Sequence, residues 1–182
     1  MEWHNHSDLA GKHAFLGASG NSWLNYTPQK LEQVYLNNKK KEKGTELHAI
    51  ASAAIKNHIK LARLKKALNL FVNDAIGFRM ESEQVLFYSY NVFGTADAII
   101  FKDGLLRIHD LKTGDRPVEH FNQLDIYSAL FCLEYDVDPL KIQFVERLYQ
   151  GSGFTESYPD PHEIQGIMTK IVEFDKIIDS LG

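Results

Sequence analysis

The chain has 182 residues, 44% of them apolar and 24% charged, and a formal net charge of −4, which is typical of a single globular domain. No apolar run approaches the roughly 20 residues that span a bilayer, and the beginning of the chain is polar, so we expect neither a signal peptide nor a membrane partner. The one cysteine, Cys132, excludes a disulfide or an all-cysteine metal cluster within the chain and indicates a reducing, cytoplasmic setting.

The first helix is predicted over about residues 28–40, after the Gly/Ser-containing stretch "LGASGNSW", which is interpreted as a loop. Pro28 suits a first helical turn, and Ser22 or Thr27 is the expected cap. The lysine-rich stretch "NNKKKEKG" that follows is interpreted as a solvated helix end, with a patch that contacts phosphates as the alternative. Its lysines are Lys39, Lys40, Lys41 and Lys43.

A second helix is predicted from Thr45, because apolar residues recur there at the spacing of one helix face. His48 lies at the edge of this apolar stripe. Helical or irregular structure is expected to continue to about Gly77. The members of the stripe are Leu47, Ile50, Ala51, Ala54, Ile55, His58, Leu61 and Ala62.

Three strands are predicted next, because "EQVLFYSYN", "VFGTADAIIF" and "LLRIHDL" are rich in β-branched and aromatic residues and are bounded by turn signals. Asp103 and Gly104 accept positive φ and predict a tight turn between the second and third strands. Pairing about this turn places Asp97 near Asp110. The alternation of side chains along a strand places Asp110 and Lys112 on one face.

The last part of the chain alternates helix and strand, and a helix that leads into a strand indicates a crossover to a parallel partner. Its predicted elements are a helix over 117–135, a strand over 141–150, a loop over 151–161 with room for a strand in its middle, and a helix over 162–181. We therefore predict one mixed α/β (α+β) domain in which a central sheet is flanked by helices. It covers residues 1–182, with a helical part over about 1–78 and a catalytic core over about 79–182.

The carboxylates of the predicted hairpin need a partner, because a buried carboxylate without one is costly. An ion-pair network in which Lys112 bridges Asp97 and Asp110 would leave a net charge of about −1. A divalent cation balances the charge better, since Mg²⁺ binds one or two carboxylates and keeps waters for chemistry. A lysine beside such an ion can help to acidify a water and support charge on a phosphoryl oxygen. The pattern therefore favours metal-dependent hydrolysis of a phosphodiester.

Four short motifs carry a resemblance to a known family. In chain order they are "GTELH", Gly94-x-x-Asp97, Asp110-Leu111-Lys112 and Gln123-x-x-x-Tyr127. Together they resemble the motifs of the PD-(D/E)xK nuclease superfamily, in its RecB-like and λ-exonuclease-like branch. The resemblance implies a restriction-endonuclease-like αβββαβ core, Mg²⁺ or Mn²⁺ as the cofactor, and DNA as a partner.

Carried over residue by residue, the resemblance implies a role for each motif position. Lys112 would orient or activate the attacking water. Gln123 and Tyr127, four residues apart on one helix face, would reach the catalytic site or the nucleic-acid backbone together. The metal ligands would be His48, Asp97, Asp110 and the backbone carbonyl of Leu111.

Several further positions are candidates or departures from the family pattern. Gly94 would allow a close approach of the backbone, and Glu83, at the entry to the first strand, is a further acidic candidate. Iron–sulfur members of this branch carry four cysteines that this chain lacks, so we predict no such cluster and expect Cys132 to be a buried apolar residue. Ser19, Ser22 and Trp23 are expected near the nucleic-acid entrance; in the alternative, the serines are helix caps and Trp23 is a core residue. His4 and His6 have no expected role.

The function implied by the resemblance is a metal-dependent DNA nuclease, most simply an exonuclease that processes ends in phage or bacterial recombination or repair. A single-strand annealing or recombination protein is a candidate partner, and a homo-oligomer is a candidate assembly. The alternative is a nucleic-acid-binding or partner-binding module that keeps the fold without cutting, which would show eroded motifs. A nuclease domain of a larger helicase–nuclease machine is a third hypothesis.

Overall fold

The structure is a computed structural model that describes residues 15–16, 21–114, 116–118 and 120–181. The chain divides into two compact units, Met1–Lys43 and Gly44–Gly182. The positions His4, His6 and Ser19, named above, lie outside the described residues.

The first unit contains a short 3₁₀ helix, Asn21–Asn25, followed by the start of a long helix. The predicted cap is confirmed for Thr27, whose Oγ1 accepts a hydrogen bond of 3.2 Å from the Lys30 N–H. Ser22 instead forms a hydrogen bond of 3.3 Å with Tyr26 OH. Trp23 is half-buried. Its place near a nucleic-acid entrance stays a prediction, with a core position as the alternative.

The long helix, α1 (Pro28–Lys56), corrects the predicted break at Gly44. Gly44 is buried inside the helix, and a Cβ added there would lie 2.7 Å from Thr113 Oγ1. This glycine therefore permits close packing rather than ending a helix, and the lysine-rich stretch before it is helical throughout.

The apolar stripe of the second predicted helix, which runs to Ala62, extends past the observed end of the helix. Helix α1 stops at Lys56, and His58 takes a left-handed conformation with φ 53°. A loop follows before α2 (Ala67–Phe78). The apolar spacing misled the prediction because Leu61 packs against the same core from the loop.

The sheet confirms the predicted meander and crossover. Its five strands lie in sequence order, with β3 and β4 parallel and the other neighbours antiparallel. The strand for which the predicted loop over 151–161 left room in its middle is present, and it extends the sheet as a fifth strand. The strands are β1 (Glu81–Ser89), β2 (Val92–Lys102), β3 (Leu105–Leu111), β4 (Gln143–Gln150) and β5 (Gly153–Ser157).

The predicted turn and register between β2 and β3 are confirmed. Asp103 and Gly104 have φ of 52° and 75°. Pairing runs back from the turn to Ala98 opposite His109. One further step along both strands places Asp97 opposite Asp110, as predicted.

The third helix, α3 (Asn122–Glu134), starts later than the predicted residue 117. The side chain of Gln150 holds the preceding segment in a loop: its Oε1 accepts from the Val118 N–H at 3.0 Å, and its Nε2 donates to two backbone carbonyls in the same loop. The bond to the Arg116 carbonyl competes with a helix that begins at Pro117, because this carbonyl would be the first acceptor of such a helix.

Helices flank the mixed sheet, which confirms the predicted fold class. Ile108 and Leu111, which point to opposite faces of β3, belong to two different core clusters. One cluster includes α3 and α4 (Pro161–Leu181), and the other includes α1 and α2.

Cys132 is 1% exposed in the first cluster, as predicted, and burial raises the pKa of its thiol to about 12. Among the described residues, no helix is both long and apolar enough to cross a bilayer.

A buried carboxyl group on β4 makes the stability of the fold depend on pH. Glu146 is 0% exposed, and its Oε1 accepts a hydrogen bond of 2.8 Å from Ser128 Oγ on α3. Its Oε2 has no hydrogen-bond partner in the described part of the chain. Burial raises the pKa of Glu146 to about 8, and the carboxyl of Asp125 adds to this effect. Glu146 is therefore mostly protonated in the folded protein at neutral pH.

Replacing Glu146 with glutamine is expected to reduce the loss of stability at rising pH. The folded pKa of about 8 exceeds the ordinary value of 4.5, so the stabilising contribution is complete below the ordinary value and is lost as pH rises through 8. Relative to the variant, the free energy of unfolding of the unchanged protein should fall by at most about 1.4 kcal/mol per pH unit. Urea unfolding of both proteins from about pH 6 to pH 9 measures this difference, and parallel profiles would contradict it.

Candidate metal and active site

Three potential metal ligands converge from three elements. His48 lies on α1, Glu83 on β1 and Asp97 on β2, and one ligand atom of each lies within 4.8 Å of the others. His48 Nδ1 is 3.3 Å from Asp97 Oδ1. Asp110, a predicted ligand on β3, lies outside this group but close enough that its charge helps to raise the pKa of His48, after the larger effect of the hydrogen bond with Asp97.

Glu83 joins the group with an unusual backbone conformation. The residues on either side of it pair with Ala98 and Ala96, so Glu83 faces Asp97 across the two strands. Glu83 has φ 54°, a left-handed conformation that costs about 1–3 kcal/mol in a non-glycine residue. Like charges directly opposite each other on neighbouring strands also repel. Both effects destabilise the metal-free fold, and strain of this kind is concentrated at functional sites.

The end of β3 contributes Asp110, Leu111 and Lys112. The Leu111 N–H donates a hydrogen bond of 2.8 Å to Asp97 Oδ2, at the point where backbone pairing between β2 and β3 ends. Asp110 is 3% exposed, and its Oδ2 lies 2.9 Å from Lys112 Nζ. Asp110 and Lys112 therefore share a face, as predicted. Lys112 pairs with Asp110 while Asp97 pairs with His48, so the alternative in which Lys112 bridges both carboxylates is wrong.

A chain of hydrogen bonds connects Lys112 to α3. Lys112 Nζ donates to Gln123 Oε1 at 2.6 Å, and Gln123 Nε2 donates to Tyr127 OH at 3.0 Å. Because an ammonium group only donates, Lys112 determines which end of the Gln123 amide faces it. Tyr127 OH consequently accepts from Gln123 and keeps its own proton for another acceptor. Burial raises the pKa of Tyr127, so this proton is retained at neutral pH.

Gly94 lies against the ring of Tyr127. A Cβ added at Gly94 would be 2.7 Å from Tyr127 Cε1, a distance that side chains do not tolerate. The predicted close approach at this glycine is therefore confirmed, and the partner is the tyrosine of the last motif. The contact makes Gly94 a support for the position of the Tyr127 ring.

Negative charge is in excess at the site. Glu83, Asp97 and Asp110, when ionised, outnumber the single ammonium of Lys112, so the net charge is about −2 with His48 neutral. Burial and the neighbouring Asp97 raise the pKa of both Glu83 and Asp110. These shifts mean that the carboxylates of the site favour proton uptake.

The donor atoms fit a divalent metal ion. Asp110 Oδ2 has no exposed surface and no partner with hydrogen-bond geometry among the described residues, although Lys112 lies beside it. A buried carboxylate is costly without a partner, and the ammonium of Lys112 supplies part of the compensation for Asp110 Oδ2. Carboxylate oxygens suit Mg²⁺ and Mn²⁺, and the imidazole of His48 is a ligand that transition metals accept. The role of the Leu111 carbonyl as a ligand stays a prediction.

No protein-family model, curated protein or solved structure matches this chain. The interpretation of the site therefore depends on its own geometry. The residue that sequence reasoning underestimated is Glu83, which was placed only near the site. Counting the register of the first hairpin would have found it, because Glu83 falls opposite Asp97.

Proposed function

We propose that the protein is a metal-dependent DNA nuclease of the PD-(D/E)xK superfamily, in its RecB-like and λ-exonuclease-like branch. The observation that carries the proposal is the continuity of the site: residues of all four sequence motifs are joined by direct contacts. The contacts are His48–Asp97, Asp97–Leu111, Asp110–Lys112, Lys112–Gln123, Gln123–Tyr127 and Tyr127–Gly94. An end-processing exonuclease in phage or bacterial recombination or repair is the proposed role.

The proposed cofactor is Mg²⁺ or Mn²⁺, held by His48, Glu83 and Asp97 with Asp110 beside them. When bound, such an ion supplies Lewis-acid chemistry, polarising a phosphodiester and lowering the pKa of a water molecule. The excess negative charge of the metal-free site supports the proposal, because it would repel a phosphate in the absence of a cation.

Two side chains of the site are suited to act on the phosphate and the attacking water. Asp110 and Gln123 hold the ammonium of Lys112 in place, and its remaining N–H can donate to a water or to an oxygen on which charge develops. Tyr127 can donate its hydroxyl proton to a phosphate oxygen, since its own oxygen already accepts from Gln123. Both groups are donors aimed at developing negative charge, which is the usual need in phosphoryl chemistry.

The test of the proposal uses end-labelled linear DNA and closed-circular DNA, incubated with purified protein in Mg²⁺, Mn²⁺ or EDTA. Loss of linear DNA only with metal, with the circles spared, is expected for an exonuclease. The Asp110→Asn variant is the inactive control, because it keeps the size of the side chain and removes its charge. Cleavage of the circular DNA would show that the protein is an endonuclease and not an exonuclease. Binding without cleavage under every metal would favour the non-catalytic module.

Replacing Gly94 with alanine is expected to slow DNA cleavage by about tenfold or more, the effect typical of misplacing a group that contacts the substrate. The added Cβ displaces the Tyr127 ring and so breaks its hydrogen bond with Gln123. Affinity for Mn²⁺ should change little, since Tyr127 is not in the group of His48, Glu83 and Asp97. Initial cleavage rates and Mn²⁺ titrations measure the two effects.

The matched control for Gly94 is Gly166→Ala on α4, where an added Cβ meets no atom within 4 Å. This variant should cleave at the rate of the unchanged protein. A Gly94→Ala protein that is folded and equally fast would show that the position of the Tyr127 ring has no effect on cleavage.

A further inference from the structure

A feature outside the proposed catalytic site is a basic segment at the end of α1 and the start of α2. Residues 47–73 contain five Lys and Arg and no Asp or Glu, whereas the other 155 residues carry 15 Lys and Arg against 24 Asp and Glu. Residues 47–73 therefore carry a net charge of +5, while the rest of the chain taken together is acidic. The five cationic residues, here called the basic segment, are Lys56, Lys60, Arg63, Lys65 and Lys66.

The charges of the basic segment are exposed, and three of the five line one depression. All five side chains belong to exposed residues, and within the described part of the chain none of them forms an ion pair. Lys60, Arg63 and Lys65 line a depression of about 400 Å³ together with Leu61 and other apolar residues. A concave surface lined by charges of one sign focuses its field and attracts counter-ions.

The loop that carries these charges is held in shape by two asparagines of α2. Asn73 accepts a hydrogen bond of 2.8 Å from the Leu61 N–H and donates one of 3.0 Å to the Leu61 carbonyl. Asn69 donates a hydrogen bond of 3.0 Å to the carbonyl of Ala62. Because the loop is already ordered, little conformational entropy is lost when a ligand binds to it. The backbone that carries the cations is thus positioned in advance.

The basic segment begins next to the proposed metal site. Lys56 lies in the last turn of α1, eight residues after His48 on the same helix, which is about 12 Å along its axis. A ligand that spans the segment and the site would therefore contact both the cations and the metal group.

We propose that the basic segment binds the sugar–phosphate backbone of DNA on its way to the catalytic site. The inference rests on the proposed function, since it assigns the same substrate a path across the surface. A polynucleotide backbone is favoured over a lipid surface because Lys60, Arg63 and Lys65 line a depression, which a phosphodiester chain can enter and a flat bilayer cannot.

The experiment measures binding of fluorescein-labelled oligonucleotides, single-stranded and duplex, by fluorescence anisotropy in EDTA, so that no cleavage takes place. The test variant combines Lys60→Gln, Arg63→Gln and Lys65→Gln. The charge-matched control combines Lys102→Gln, Lys170→Gln and Lys176→Gln, three exposed lysines outside the basic segment. Affinity is measured over a range of KCl concentrations, and circular dichroism checks that both variants are folded.

The test variant is expected to bind more weakly by about tenfold or more at low salt, and the slope of log affinity against log salt should fall by about 2 to 3. The control should keep the slope of the unchanged protein. An unchanged slope in the test variant, or equal losses in both variants, would overturn the inference. So would binding to phosphatidylserine vesicles but to no DNA. Cleavage by the unchanged protein is assayed separately with Mn²⁺. A smaller salt slope in the test variant, without cleavage by the unchanged protein, would support DNA binding by the basic segment and reject the nuclease. Cleavage by the unchanged protein, with the same salt slope in the test variant, would support the nuclease and reject the role of the basic segment.

Discussion

Replacing Lys112 with alanine is expected to abolish metal-dependent DNA cleavage, with a loss of about 10²–10⁴-fold, the range for removing a group that assists proton transfer. Lys112 Nζ lies 2.9 Å from Asp110 Oδ2 and donates to Gln123 Oε1 at 2.6 Å. Among the described residues whose contacts join the motifs, Lys112 is the one with an ammonium group, and the substitution removes it. The initial rate of nucleotide release from linear DNA at saturating Mn²⁺ measures the effect.

A second variant separates catalysis from folding, because Lys112→Ala also leaves a buried carboxylate without its cation. Losing one partner of a buried ion pair costs about 3–5 kcal/mol, reduced here because the Lys112 side chain is 23% exposed. Lys112→Arg keeps a cation beside Asp110, so it should remain folded and bind Mn²⁺ while cleaving slowly. Lys102→Ala, at the exposed hairpin turn, is the control with normal activity. Full activity in a folded Lys112→Ala protein would reject this residue as catalytic.

Replacing Glu83 with glycine is expected to stabilise the metal-free protein while weakening its affinity for Mn²⁺. Glycine adopts φ 54° without strain, and the variant also lacks the carboxylate that faces Asp97. The gain in the free energy of unfolding should be about 1–3 kcal/mol, set by the relief of backbone strain. Metal affinity should fall by at least about 10–100-fold, the effect of losing even an outer partner of a metal site. Urea unfolding in EDTA and Mn²⁺ calorimetry measure the two quantities.

The matched variant, Glu83→Gln, removes the charge and keeps a side chain in the left-handed conformation. It should lose Mn²⁺ affinity to a similar extent and gain less stability than Glu83→Gly. Equal stability of the two variants would show that the backbone of Glu83 is not strained. Unchanged Mn²⁺ affinity in both would remove Glu83 from the metal group.

The strands and their register could be predicted from the sequence because the signals are local. The Asp103-Gly104 pair specifies a tight turn, and pairing away from that turn leaves little freedom, so Asp97 was correctly placed opposite Asp110. The errors lie where distant groups decide. Gly44 continues a helix because Thr113 packs against it, and α3 starts late because Gln150, from another strand, holds the preceding loop.

By itself the sequence determined which chemical groups the protein has and which of them share a strand or a helix face, because alternation and helical spacing are properties of the local backbone. Asp110 with Lys112, and Gln123 with Tyr127, follow from that. Only the tertiary structure decided that Glu83 faces Asp97 with a strained backbone and that, among the described residues, Lys112 forms its ion pair with Asp110 and not with Asp97. These outcomes depend on how separate elements pack and on which charges the packing brings within a few ångströms of each other. No single short stretch of the chain encodes that packing.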